Sequence, residues 1–343
     1  MDIISRISDR SIPPFVVAEM SGNHGADIEK ALRLVVAAKE AGADAIKLQT
    51  YRPDTITVAG QDDRFLLKSG LWKGRYLYDL YQEAMTPWEW HPVLFREASR
   101  LGLLCFSSPF DESAVDFLEK SLDPPLYKVA SFELNHFPML QRIGATGKPV
   151  LASVGVSRKD EIIQALRVLE DAGCPGVVLL HCVSEYPANP VDFCLQNMPK
   201  LKEDYGVEFG LSDHSSGHLV AVAATALGAR VIEKHICLDR DKSSIDGKFS
   251  MLPEEFQEMV HAVHVTHQAI SGTQVPQDGA VFKRSILVSS PVRAGERLTP
   301  ENLRIARPGD GMCPSRWLEV LNTFATQDLP VGHPLSDQDF THK

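Results

Sequence analysis

The chain has 343 residues, of which 44% are apolar and 23% charged, and its formal net charge is −10. It is too long for one small core, and its acidity argues against nucleic acid or an anionic membrane surface as a general partner. No run reaches the length of a membrane span, the first residues hold no apolar signal segment, and the six cysteines show no C-x-x-C spacing, so a reducing, cytoplasmic location is expected.

The first expected strand is 14–19, ending at Glu19. Ala31, Leu32, Val35 and Ala38 recur at helical spacing, which predicts a helix over 27–41, stopped by Gly42. The second strand, 44–49, carries Lys47 where a strand covered on both faces wants an apolar residue. A buried ammonium is costly without an anion beside it, and that points to a ligand. Residues 51–87 then break the alternation with Trp72, Tyr76, Tyr78 and Tyr81; Trp88 and Trp90 follow Pro87. So many aromatic side chains do not suit disorder, and a structured cap over a site is expected.

Alternation resumes with strands over 103–108, 126–131, 149–153, 177–182, 208–212 and 229–235. Helices over 89–101, 113–120, 137–146, 158–172, 193–204, 217–227 and 253–271 separate and follow them. With the first two strands this makes eight strand–helix units over 1–272, the count of a closed (β/α)8 TIM barrel.

Ligands bind at the carboxyl ends of such strands. Those ends carry Glu19, Lys47, Ser107 with Ser108, Ser131, Ser153, Ser184, Ser212 with His214, and His235. Hydroxyls ringed around Lys47 and Lys128 suit a phosphate or carboxylate. His214, in Gly210-Leu-Ser-Asp-His214, and His235, in Val231-Ile-Glu-Lys-His235, end neighbouring strands and suit a divalent metal with one face open. His261, His264 and His267 recur by threes in the last helix, on the outer ring, and read as structural. Past an expected linker over 273–281, the tail 282–343 holds a short repeat. Residues 294–303 and 331–340 share Gly-x-x-Leu-Ser/Thr-x-x-Asn/Asp-apolar, which suggests a small domain of short strands and turns.

Six segments together resemble the sialic acid synthase family, the enzymes that build nine-carbon acidic sugars. They are Ala18-Glu-Met-Ser-Gly-Asn-His24, Lys47-Leu-Gln-Thr-Tyr51, Phe106-Ser-Ser-Pro-Phe-Asp111, Tyr127-Lys-Val-Ala-Ser-Phe-Glu133, Gly210-Leu-Ser-Asp-His214 and Glu233-Lys-His235. The tail, with Arg307-Pro-Gly-Asp-Gly311, resembles the antifreeze-like SAF domain, a β-clip fold. Within the family, residues 71–90 most resemble the pseudaminic acid synthases.

The resemblance implies a phosphoenolpyruvate-dependent transferase that condenses this substrate with an open-chain amino sugar and releases phosphate. For that branch the sugar is 2,4-diacetamido-2,4,6-trideoxy-L-altrose. His214 and His235 then match ligands of Mn2+, with Co2+ or Mg2+ as alternatives. Glu19 matches the carboxylate that activates water. Lys47, Ser108, Lys128, Ser131, Ser153, Ser184, Tyr186 and Ser212 match the phosphoenolpyruvate cradle. Glu133 and Asp246 match sugar contacts. Arg307 matches an arginine that reaches the partner's sugar in a domain-swapped homodimer. Ser153-Val-Gly-Val156, Ser244-Ile245 and the loop 133–137 depart from the family pattern and bear on sugar specificity. Rival readings are a sister synthase making N-acetylneuraminic or legionaminic acid, a non-catalytic sugar- or phosphate-binding paralogue, and a metal-dependent barrel hydrolase.

Overall fold

The structure, a computed structural model, describes residues 2–240, 244–273, 279 and 281–342. It divides into two units, Met1–Gly272 and Thr273–Lys343. Of the expected linker, residues 274–278 and 280 lie outside the described residues.

The first unit is a closed barrel of eight parallel strands in sequence order. They are β1 (Phe15–Glu19), β2 (Ala45–Thr50), β3 (Leu104–Pro109), β4 (Tyr127–Val129), β5 (Val150–Ser153), β6 (Val177–Cys182), β7 (Glu208–Asp213) and β8 (Val231–His235). Helices follow the strands and cover them from outside. The helix Ile28–Glu40 is typical: Asp27 caps it by accepting from Glu29 N, and Ala31, Leu34, Val35 and Ala38 turn one buried stripe to the strands. Inside the barrel, Phe15, Val17, Ala45, Phe106, Leu126, Leu151, Val178, Leu180 and Val231 pack as one cluster. That cluster fills the lower part and leaves the polar strand ends at the other mouth.

Two elements differ from the sequence reading. A short helix, Ile3–Ser8, precedes β1, and its fully buried Ile7 joins the interior cluster. Arg230 fastens this segment by donating to the carbonyls of Ile7 (2.7 Å), Asp9 (2.6 Å) and Ile12 (3.0 Å). The helix expected over 193–204 is instead two 3-10 turns, Pro190–Phe193 and Leu195–Asn197, and a short helix Lys200–Tyr205. Cys194 sits between the turns with φ of 43°, which breaks the helical run. Cys105, Cys182 and Cys237 are buried free thiols. Among the described residues no helix is long and apolar enough to cross a membrane.

The second unit is built of β9 (Ser285–Val288), β10 (Leu303–Ala306), β11 (Phe324–Ala325) and β12 (Phe340–Thr341), paired β9 with β10 and β11 with β12. The sequence repeat is a structural repeat. Gly295 and Gly332 both take a left-handed conformation, φ 80° and 84°. Asn302 accepts from Thr299 N and Asp339 from Ser336 N, each at 2.8 Å, closing the same four-residue turn twice. Leu298 and Leu335 go into the small core each time.

Candidate active site

Barrel register sets the site. Glu19 pairs with Lys47 on one side and His235 on the other, and Ser212 pairs with Glu233. Side chains alternate between the two faces of a strand. Lys47, Gln49, Ser212, His214, Glu233 and His235 therefore line the cavity at the mouth. Their neighbours Asp213 and Lys234 form a fully buried ion pair of 2.7 Å that ties β7 to β8 behind the histidines.

The charges form a chain. Lys47 Nζ lies 3.2 Å from Glu19 Oε2 and 2.9 Å from Glu233 Oε2. Glu233 Oε1 is 3.3 Å from Lys128 Nζ and accepts from Ser212 Oγ at 2.9 Å. Burial alone would raise Glu233, but the Lys128 and Lys47 ammoniums outweigh it and hold this carboxyl far below its usual range. Glu19 differs. Burial pushes it up to about 7 against the pull of Lys47. Its Oε1 is oriented by Ser21 N and Gln49 Nε2, both at 3.0 Å. One carboxyl is fixed as an anion while the other titrates near neutrality, the setting for a general base.

The two histidine rings lie 5.4 Å apart, centroid to centroid. Burial holds His214 down to about 4 and His235 well below its usual value, so both are neutral. His214 Nδ1 donates to the Val183 carbonyl at 3.0 Å, which leaves Nε2 with a free lone pair. His235 Nδ1 is buried without a partner, 3.6 Å from Asp246 Oδ2. A neutral pair with a bare ring nitrogen is a donor set that fits a divalent cation. Among the described residues no group of three or more His, Cys, Asp or Glu side chains is arranged for a metal, so a cation held by this pair would need water or substrate as its other ligands.

Above the strand ends lies a cavity of about 760 Å³. The expected cap forms part of its wall: Ile56, Leu67, Leu71, Trp72, Leu77, Leu80 and Tyr81 line it. Two buried networks hold the cap's far end. His91 Nε2 meets Thr50 Oγ1 at 2.8 Å, and Thr50 meets Ser107 at 2.6 Å. His24 Nε2 meets Thr86 Oγ1 at 3.1 Å.

The barrel mouth holds buried lysines, hydroxyls and paired histidines, and sequence comparison decides the lineage. The sequence profile of the NeuB family matches residues 34–275, and that of the SAF domain matches 283–341. The chain belongs to the NeuB family. It is 42% identical over 331 residues to a pseudaminic acid synthase of Campylobacter jejuni, covering 95% of this chain and 96% of that one. Identity to an N,N'-diacetyllegionaminic acid synthase of Legionella pneumophila is 32% over 335 residues, covering 95% and 94%. Among solved structures, an N-acetylneuraminic acid synthetase of Leptospira borgpetersenii, crystallised with citrate, superposes with a TM-score of 0.69 at 30% identity. It covers 78% of this chain and 88% of that one.

In this NeuB-family barrel the expected residues fall as follows. Glu19, Lys47, Lys128, Ser131, Glu133, Ser153, Ser184, Tyr186, Ser212, His214, His235 and Asp246 all line the one cavity. Ser153 Oγ and Glu133 Oε2 are buried without partners, and burial pushes the Glu133 carboxyl up to about 7. Ser131 Oγ accepts from Val156 N at 3.1 Å. Ser108 does not line the cavity, although its hydroxyl is buried and unpartnered at the end of β3. Ser107 faces outward into the Thr50–His91 network. Arg307 lies on the C-terminal unit, its guanidinium 6.0 Å above the Phe282 ring. His267 is structural: it is buried, with Nε2 3.1 Å from the Arg10 carbonyl.

Two departures from the family pattern also find places. Val154 packs into the core between strands and helices, so the hydroxyl missing there is not missing from the cavity. Ile245 lines the cavity beside Asp246 and adds apolar wall there.

Sequence reasoning missed Glu233 and Gln49. The signal was available for Glu233: a charge inside a buried strand, on the same face as His235, calls for the argument already applied to Lys47.

Proposed function

We propose that this protein is a pseudaminic acid synthase, condensing phosphoenolpyruvate with 2,4-diacetamido-2,4,6-trideoxy-L-altrose to give pseudaminate and phosphate. One observation carries the reading. A lysine–hydroxyl cradle, a neutral histidine pair and an apolar aromatic cap share one cavity. The chain around it is more similar to a pseudaminic than to a legionaminic acid synthase.

Lys47 and Lys128, with Ser131, Ser153, Ser184 and Ser212, hold the carboxylate and phosphate of phosphoenolpyruvate, and Glu233 balances the two ammoniums. His214 and His235 would hold the divalent cation, Mn2+ with Co2+ or Mg2+ as alternatives, which when bound polarises a carbonyl oxygen as a Lewis acid. The cradle presents C3 of phosphoenolpyruvate to the sugar aldehyde carbon, and fixing that approach removes much of the barrier. As the C–C bond forms, positive charge develops at C2. Glu19, steadied by Gln49 and Ser21, takes a proton from the water that adds there. Collapse of the tetrahedral carbon breaks the bond from C2 to the phosphate oxygen. The two water protons end on the former aldehyde oxygen and on phosphate. The protein works in the cytoplasm as a homodimer, and Arg307 of each subunit reaches the sugar in the partner's barrel.

Phosphate release tests the reading. With phosphoenolpyruvate and Mn2+, the diacetamido altrose should be the fastest of a sugar panel. If N-acetylmannosamine outperforms it, the protein is a sister synthase; phosphate release with no sugar present would contradict synthase chemistry.

A further inference from the structure

Trp72 stands out among the cavity-lining residues of the cap. It sits at the tip of a short hairpin closed by the Leu66–Tyr76 bridge, with Leu67 N bonded to Arg75 O and Gly74 N to Leu67 O. Gly70 and Gly74 take left-handed conformations, φ 78° and 87°, which turn the tip. The indole ring packs on Tyr186 at 5.5 Å, and Tyr186 packs on His214 at 4.6 Å. Trp72 is thus two ring contacts from the histidine pair. Its Nε1–H is buried and has no acceptor. An indole nitrogen only donates, and a buried donor left alone is unfavourable enough that native structures nearly always satisfy it. The cap residues that line the cavity with it are mostly apolar, Leu67, Leu71, Leu77 and Leu80, and although Ser69 and Tyr81 stand among them, none accepts from the indole.

We infer that the Trp72 indole N–H is the specificity contact for the acetamido group on C4 of the sugar, donating to its carbonyl oxygen. The inference rests on the synthase reading above. A neutral carbonyl with a methyl beside it suits a lone donor in a leucine wall, whereas phosphate and carboxylate belong with Lys47 and Lys128. In an open-chain hexose whose aldehyde lies at the histidines, the C2 acetamido is adjacent to the reacting carbon. The C4 acetamido is two carbons further out, toward the cap. A site built to hydrogen-bond one group rejects a substrate lacking it, because its own donor is then stranded.

The test is a cycle of kcat/KM at saturating phosphoenolpyruvate. It uses wild type and Trp72→Phe, each with the diacetamido altrose and with the same sugar bearing a C4 hydroxyl. Trp72→Phe keeps a ring against Tyr186 and removes the donor. Wild type should lose roughly tenfold to a hundredfold on the C4-hydroxyl sugar, and Trp72→Phe a similar factor on the full sugar. Both changes together should cost little more than either alone, and the KM for phosphoenolpyruvate should not move. Additive losses, or an undiminished Trp72→Phe on the full sugar, would overturn the assignment. A second measurement needs no variant. The chain has four tryptophans, so a 15N-labelled sample gives four indole signals. One should shift downfield with the diacetamido sugar and stay put with the C4-hydroxyl analogue; four unmoved signals reject the contact. If wild type instead prefers N-acetylmannosamine to the diacetamido altrose, the pseudaminate reading has failed, the protein is a sister synthase, and this inference falls with that reading. If wild type prefers the diacetamido sugar and Trp72→Phe does too, undiminished, only the Trp72 contact is wrong.

Discussion

Glu19 and Glu233 flank the same ammonium and differ in what else they touch. Glu233 is shared by two lysines and stays ionised, while Glu19 faces one and is pushed up to about 7 by burial. A base must be deprotonated to take a proton from water. Condensation, followed as kcat/KM against pH, should therefore fall on the acid side of about 7 and level off above it. Glu133 has a similarly raised carboxyl, so Glu133→Gln should keep that limb if Glu19 is the base. A flat profile from pH 6 to 8 would remove Glu19 from the role. The histidine pair makes its own claim. His214→Ala and His235→Ala should each lose Mn2+ binding, measured by calorimetry, and lose condensation while remaining folded by circular dichroism. Full activity of either variant in chelator would end the metal assignment.

At the scale of elements, the N-terminal helix Ile3–Ser8 matters through one side chain. Ile7 is fully buried in the barrel interior, remote in the fold from the polar mouth. Ile7→Ala should cost about 2–5 kcal/mol in urea unfolding and leave kcat/KM nearly unchanged. A loss below about 0.5 kcal/mol, the level of surface substitutions, would mean the helix is not part of the barrel core. This helix was not legible in the sequence. Ile3, Ile4 and Ile7 stand at helical spacing, but six residues are too few for a helix to hold without tertiary packing, which here is the interior cluster. The same override broke the helix expected over 193–204 at Cys194. The eight strands were legible because buried parallel strands read as apolar runs, and charges such as Lys47 within a run mark the site. The cap was legible as a structured excursion from its aromatics. Which of them faces the cavity was not, because irregular chain has no period from which to read a face.

At the scale of the whole molecule, the proposed role of Arg307 can be tested directly. Arg307→Ala should raise the KM for the sugar strongly and leave that for phosphoenolpyruvate nearly unchanged. Mixing inactive Glu19→Ala subunits with Arg307→Ala subunits should restore part of the activity, because one barrel of each heterodimer then has both residues. No recovery after proven subunit exchange would mean that the tail does not complete a partner's site. The central claim is a new carbon–carbon bond made at the expense of a phosphate ester. Phosphoenolpyruvate labelled with 13C at C3, incubated with Mn2+ and the diacetamido altrose labelled with 13C at C1, tests it by NMR. The account predicts that the vinyl signal is replaced by a methylene coupled directly to the former aldehyde carbon, in step with phosphate release. Phosphate appearing alongside labelled pyruvate, with no 13C–13C coupling, would contradict it.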